Sequence, residues 1–111
     1  MSDDAVLLIG PYDFRPGART LYEPVENLRI QLTYKEAATL KCLYRASGRP
    51  VSRQKMLEEV WGRNPTARSN TLEQHIHRLR RKIEPDPRCP TVLVNGSSGY
   101  RLGHFEEDDT A

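Results

Sequence analysis

The chain has 111 residues, 37% of them hydrophobic and 29% charged, and its formal net charge is +2. This length and composition favour one globular domain and exclude a largely disordered chain. The longest aliphatic run, residues 5–9, is too short to cross a bilayer, and no secretion signal precedes it. We therefore expect a cytoplasmic protein with no membrane partner, in which the widely separated Cys42 and Cys89 stay reduced thiols.

The first third of the chain consists of short alternating runs separated by turn-forming Gly and Pro residues. Runs of this length, broken at such intervals, are typical of short strands that follow one another in space. They predict an antiparallel meander with strands over Ala5–Ile9, Tyr12–Arg15, Arg19–Tyr22 and Leu28–Leu32.

Apolar residues at helical spacing begin after the meander. Thr33 and Glu36 form a capping box, which predicts the start of a first helix that residues 47–48 end. Ser52 is expected to cap a second helix that ends at Gly62. The segment between these two helices, 49–51, is interpreted as an extended connector.

A third helix and a hairpin complete the predicted elements. The helix runs from about Asn70 to Glu84 and is closed by prolines, after a loop over residues 63–68. Thr91–Val94 then pairs with Tyr100–Leu102 across a Gly- and Ser-rich turn. We assign the chain to one domain over residues 5–105, with disordered acidic ends over 1–4 and 106–111.

The third helix has two different faces. At about 100° per residue, four apolar residues fall within roughly 40° of one another and form a core stripe: Leu72, Ile76, Leu79 and Ile83. Polar and cationic residues occupy the opposite side, with Arg78 at its flank: Asn70, Gln74, His77 and Arg81. Three helices followed by a hairpin is the chain order of a winged helix-turn-helix, so this second face is the candidate reading face.

The charges are segregated along the chain. Six of the fifteen acids lie at its ends, so residues 5–105 have nine acids against seventeen Lys and Arg, a net charge of +8. A body this basic favours a polyanion, and Arg, Asn and Gln are the side chains that make paired hydrogen bonds to guanine and adenine. The pattern therefore predicts binding to double-stranded DNA, with phosphate contacts from the flanking Arg80, Lys82 and Arg101.

Residues 32–102 resemble the OmpR/PhoB family of winged-helix effector domains, which are found mostly at the C-terminus of two-component response regulators. Four ordered stretches carry the resemblance: 32–36 (LTYKE); 51–53 (VSR) with Leu57 and 60–62 (VWG); 71–84 (TLEQHIHRLRRKIE); and 99–102 (GYRL). The resemblance implies an α+β fold with a four-stranded N-terminal antiparallel sheet, three helices and a C-terminal β-hairpin wing. It also implies a DNA-binding transcription regulator that has no cofactor and is not an enzyme.

The resemblance also assigns roles by position. Helix 3 would read the major groove through Asn70, Gln74, His77, Arg78 and Arg81. The DNA backbone would be contacted by Thr71, Arg80 and Lys82, and by Ser98 and Arg101 of the wing. The loop residues Arg63, Asn64 and Arg68 match a segment that touches RNA polymerase in some members. A tandem dimer on a direct-repeat site is the implied assembly.

Two departures from the family pattern affect these expectations. Members often have Arg just before the wing glycines, where this chain has Asn95-Gly96-Ser97, so a cationic wing contact is missing. The sequence also contains no phosphorylatable receiver domain, so we expect either an isolated effector domain or a protein that works without phosphorylation.

Other kinds of site are disfavoured by position. His75 and His77 point about 200° apart on a helix and cannot share a metal ion, and Cys89 is distant in sequence. No serine lies in a GxSxG setting, and no motif pairs two carboxylates for acid/base catalysis. Trp61 and Tyr100 are better explained as residues at the core edge than as platforms for single-stranded nucleic acid.

One alternative stays open, namely that the winged helix is a protein-interaction module. Its Arg-rich helix would then dock on an acidic partner protein instead of DNA. Salt dependence and competitor behaviour distinguish the two interpretations.

Overall fold

A computed structural model of the chain describes residues 5–62, 69–97 and 99–103. The N-terminal meander is confirmed as a four-stranded antiparallel sheet in the order β1-β2-β3-β4. Its strands are β1 Leu7–Ile9, β2 Tyr12–Arg15, β3 Thr20–Glu23 and β4 Leu28–Gln31. One face is buried, since Ile9, Phe14 and Leu21 are at most 2% exposed. The predicted first strand was too long at its N-terminal end, and the third began one residue too early.

Helix α1, Tyr34–Arg45, begins where the capping box predicted. The Thr33 side chain accepts a hydrogen bond from the Glu36 N–H at 3.1 Å, and Glu36 Oε1 accepts one from the Thr33 N–H at 2.9 Å. The helix ends before Ser47 and Gly48, which have φ of 55° and 83°. Gly48 adopts this left-handed conformation without steric cost, which is why the chain turns here.

The second helix starts at the predicted cap but is not regular throughout. Ser52 accepts from the Lys55 N–H at 3.1 Å, and α2 covers Arg53–Met56 before it continues as a π-helical segment, Leu57–Trp61. The spacing of apolar residues could not distinguish an α-helix from a π-helix, because the two differ in their backbone hydrogen bonds. Each N–H bonds to the carbonyl four residues earlier in an α-helix and five residues earlier in a π-helix. Gly62, with φ of 69°, ends the segment as expected.

The wing is larger than predicted. Its strands β6, Leu93–Gly96, and β7, Gly99–Leu102, pair as a hairpin, and the connector before α2 adds a third strand, β5, Val51–Ser52. The description of residues 49–51 as a plain connector was therefore incomplete. Gly99 makes the pairing possible, since a Cβ there would lie 1.9 Å from the carbonyl oxygen of Val51.

Helix α3, Ser69–Ile83, supplies the centre of the core. Its predicted stripe is confirmed: Leu72, Ile76, Leu79 and Ile83 are at most 1% exposed. The Tyr12 hydroxyl donates to the carbonyl oxygen of Ile83 at 2.6 Å, which joins the end of α3 to the N-terminal sheet. Within the described residues, none of the helices is long and apolar enough to cross a membrane.

Candidate nucleic-acid interface

The polar face of α3 is open to solvent. All five predicted reading residues are exposed, and no described part of the chain covers them: Asn70, Gln74, His77, Arg78 and Arg81. They lie opposite the buried stripe because the helix is regular over fifteen residues, so its two faces keep their angular separation. The packing of α3 therefore presents hydrogen-bond donors and acceptors on a rigid, convex surface.

The other predicted contact residues have different surroundings. Thr71 and Arg101 are half-buried, on α3 and β7 respectively. Ser98, between β6 and β7 in the sequence, lies outside the described residues, and so do Arg63, Asn64 and Arg68. The acidic ends, residues 1–4 and 106–111, also lie outside them.

Arg80 links α3 to the wing. Its Nε donates to the carbonyl oxygen of Leu93 at 2.9 Å, and its Nη2 donates to Asn95 Oδ1 at 3.0 Å. The guanidinium also lies 5.6 Å from the centre of the Tyr100 ring, close enough for a cation–π contact. Arg80 therefore positions the wing against the helix, and a phosphate contact from the same side chain stays a prediction.

Lys82 is also engaged within the protein. Its Nζ donates to Glu36 Oε1 at 2.7 Å and to the carbonyl oxygen of Gln31 at 3.1 Å. Burial alone would raise the pKa of the Glu36 carboxyl, but hydrogen bonds from Lys82 and from the Thr33 backbone outweigh burial and hold the pKa below its usual value. The ion pair joins α3 to the capping box of α1, so the phosphate contact predicted for Lys82 would compete with it.

Glu84 was missed at the sequence level. This buried carboxylate accepts hydrogen bonds from the N–H groups of Thr91, Val92 and Leu93 at 2.7–3.1 Å. These bonds occupy the N–H groups of residues 91–93, and β6 starts at Leu93 and not at Thr91 as predicted. Val92 keeps one hydrogen bond across the hairpin, in which its carbonyl oxygen accepts from the Gly103 N–H at 2.8 Å. The one available signal was the position of an acid directly after the last apolar residue of the helix.

His75 is a packed histidine on α3. The Thr39 hydroxyl donates to the carbonyl oxygen of Lys35 at 2.8 Å, so it is His75 Nε2 that donates to Thr39 Oγ1 at 3.0 Å. The Trp61 ring meets the imidazole edge-on at 5.0 Å between centroids. Burial lowers the pKa of His75 below its ordinary value of 6.5, although Glu36 opposes the shift.

This burial gives an expected pH dependence. Because its folded pKa is lowered, His75 is protonated first in the unfolded chain, so stability should fall as pH drops below about 6.5. His75→Gln should flatten the stability profile in that window, as measured by urea unfolding at several pH values. His77→Gln, a change on the exposed face of α3, is the matched control and should leave the profile unchanged. An unaltered profile in His75→Gln would contradict a neutral, packed His75.

Metal and thiol sites gain no support from the geometry. Among the described residues, no group of three or more His, Cys, Asp or Glu side chains is arranged to hold a metal ion. Cys42 is buried and Cys89 is exposed, and both are free thiols. Burial raises the pKa of the Cys42 thiol, which lowers its reactivity.

Comparison with known families decides the relationship. Residues 13–102 match the family model described as the C-terminal domain of transcriptional regulatory proteins. The chain belongs to this family. It is 38% identical over 102 residues to the sensory transduction protein RegX3 of Mycolicibacterium smegmatis, with coverage of 91% of this chain and 44% of that protein. It is 44% identical over 82 residues to "Probable transcriptional regulator ycf27" of Galdieria sulphuraria, with coverage of 71% of this chain and 32% of that protein. The chain thus spans less than half the length of these two relatives.

Solved structures agree with this membership. The DNA-binding domain of CpxR from E. coli superposes with a TM-score of 0.70 at 26% identity, over 88% of this chain and 95% of that one. The response regulator DrrB of Thermotoga maritima, an OmpR/PhoB homologue, gives a TM-score of 0.75 at 28% identity over 87% of this chain and 43% of that one. Both the winged-helix fold and the OmpR/PhoB resemblance are confirmed.

Proposed function

We propose that this chain is the effector domain of a transcription regulator and binds double-stranded DNA in a sequence-specific manner. The observation that carries the proposal is the exposed polar face of α3, opposite a stripe that is fully buried. A helix of this kind fits the major groove of B-DNA, where each base pair presents its own pattern of donors and acceptors. The function of the solved CpxR domain, named as DNA binding, supports the same assignment.

The five exposed side chains divide by chemistry. Arg78 and Arg81 can each donate two hydrogen bonds to O6 and N7 of guanine, while Asn70 and Gln74 can pair with N6 and N7 of adenine. His77, on the same face, has two ring nitrogens that can form hydrogen bonds with base edges. We assign base reading to this group.

Contacts to the DNA backbone come from residues that flank the reading face. Thr71 lies at the first turn of α3, and Arg101 lies on the wing. Arg80 and Lys82 would have to share their donors between phosphates and the partners described above. We therefore expect Arg101 to bind phosphate more directly than Arg80 and Lys82. The phosphate contacts of Thr71 and Ser98 stay predictions from the family resemblance.

The larger assembly belongs to the same proposal. We expect two copies to bind in tandem on a direct-repeat site, and RNA polymerase to contact the segment that includes Arg63, Asn64 and Arg68. We expect both events to take place on double-stranded DNA in the cytoplasm. The chain would act by binding alone, with no catalytic step and no cofactor.

Titration with duplex DNA at a series of salt concentrations tests the proposal. We expect tight binding at low salt and a linear loss of log affinity with log salt concentration, with a slope of about −0.9 for each phosphate neutralised. An acidic polypeptide such as polyglutamate is the competitor control, and it should displace DNA only weakly at equal charge concentration. Failure to bind duplex DNA at low salt, with binding to the polypeptide, would favour the protein-interaction module instead.

A further inference from the structure

A basic pocket lies beside the wing, on the side of β5. It has a volume of about 460 Å³, is open to solvent, and is lined by residues of the α1–β5 turn, by β5 and by the first turn of α2. Three of the lining residues are cations, Arg45, Arg49 and Lys55, and none is an acid. All three residues are exposed.

The positive charge of this pocket is largely uncompensated. In the part of the chain that the structure describes, neither Arg45 nor Arg49 has a side-chain hydrogen bond or a salt bridge. Lys55 has a loose ion pair with Glu59 at 3.7 Å, and its side chain is 63% exposed. Three cations around one concave surface repel one another, so an anion between them would lower the energy of the folded protein.

The pocket and the wing form one structural unit. Ser52, on the pocket wall, pairs with Gly99 of β7, and Val51 pairs with Tyr100. Pro50 packs directly against Gly96 of the wing, because a Cβ on Gly96 would lie 2.9 Å from Pro50 Cβ. A DNA strand that reaches the wing therefore passes close to the pocket.

The turn of the wing has no charge of its own. Residues 95–99 are Asn-Gly-Ser-Ser-Gly, and the one basic residue on the wing strands is Arg101. An uncharged turn gives little electrostatic attraction to the DNA backbone, which supplies much of the affinity of DNA-binding proteins. A neighbouring cluster of arginines can provide it, since guanidinium groups bind phosphate oxygens in pairs.

We propose that the pocket formed by Arg45, Arg49 and Lys55 binds a phosphate group of the DNA backbone and anchors the otherwise uncharged wing. This inference rests on the DNA-binding function proposed above and adds a contact outside α3. The contact carries no sequence information, because phosphates are the same at every base pair.

The test compares two double variants with equal loss of charge. Arg45→Ala/Arg49→Ala removes the pocket arginines, and Arg15→Ala/Arg29→Ala removes two exposed arginines from the outer face of the N-terminal sheet. Affinity for a specific duplex and for a random duplex is measured over a salt series. We expect the pocket variant to lose about one to two units of salt slope and roughly tenfold in affinity on both duplexes, and the control to keep its slope. Arg49→Lys should retain most of the slope, since the charge is kept.

Three results would overturn the inference. If the pocket variant and the control show the same slope while Arg78→Ala still weakens specific binding, the DNA-binding function stands and the phosphate contact does not. If the unaltered protein fails to bind duplex DNA, both fall together. If titration with inorganic phosphate gives saturable NMR shifts of the backbone amides in residues 45–55, while the DNA salt slope of the pocket variant equals that of the unaltered protein, the pocket is a site for a free anion only.

Discussion

Glu84→Ala should lower the free energy of unfolding by about 3 kcal/mol or more. The buried carboxylate accepts hydrogen bonds from three successive backbone N–H groups, and each donor left without a partner in a buried position costs roughly 1 to 3 kcal/mol. For a domain of this size the loss corresponds to a fall in Tm of roughly 10 to 20 °C. Urea and thermal unfolding, followed by circular dichroism, measure it.

The matched control for this prediction is Glu26→Gln. Glu26 is an exposed acid in the turn between β3 and β4, and its side chain has no described hydrogen bond. We expect the free energy of unfolding of this variant to stay within about 0.5 kcal/mol of that of the unaltered protein. The intermediate variant Glu84→Gln keeps one acceptor oxygen and should fall between the two. Equal stabilities of Glu84→Ala and Glu26→Gln would show that residues 91–93 do not depend on the carboxylate.

Arg78→Ala should weaken specific DNA binding by about 1 to 3 kcal/mol, or roughly 5- to 150-fold, and random-sequence binding by much less. The reason is that Arg78 is exposed on the reading face, so its guanidinium is free to form paired hydrogen bonds with one guanine. The measurement is a pair of titrations, one with a duplex selected from random sequences and one with an unrelated duplex. Replacing the contacted guanine with another base should weaken DNA binding by the unaltered protein and leave the affinity of Arg78→Ala unchanged.

Arg88→Ala is the control for Arg78→Ala. It removes the same charge from a side chain that is 92% exposed and lies beyond the end of α3. Arg88→Ala should lower the affinity for the selected duplex and for the unrelated duplex by small and equal amounts. Equal losses of specific and random binding in Arg78→Ala would instead assign Arg78 to a phosphate, and base reading would rest on the other four residues: Asn70, Gln74, His77 and Arg81.

Most of the fold was predicted correctly from local signals in the sequence. The capping box at Thr33 and the glycine at residue 62 mark helix ends through hydrogen bonds and φ angles that depend on neighbouring residues only. The stripe from Leu72 to Ile83 follows from helical periodicity, and it places the opposite face in solvent. The exposure of the five proposed reading residues could be predicted for that reason.

The features that were missed depend on contacts between distant residues. A two-residue strand such as β5 is defined by its partner Tyr100, and nothing within residues 49–52 identifies that partner. Likewise, the long side chains of Arg80 and Lys82 appear on the helix surface in a periodicity plot, but they reach Asn95 and Glu36. Periodicity gives the direction of a Cβ atom and not the final position of a flexible cationic group.

Mapping the DNA contact surface by NMR tests the central claim most directly. A selected duplex is titrated into the isotope-labelled protein, and shifts of the backbone amides and of the Asn, Gln and Arg side chains are followed. We predict little change on the outer face of the N-terminal sheet, at Asp13 and Tyr22, and the largest shifts on the exposed face of α3, at Asn70, Gln74, His77, Arg78 and Arg81. Shifts concentrated on that sheet, with the exposed face of α3 unaffected at saturating DNA, would contradict it.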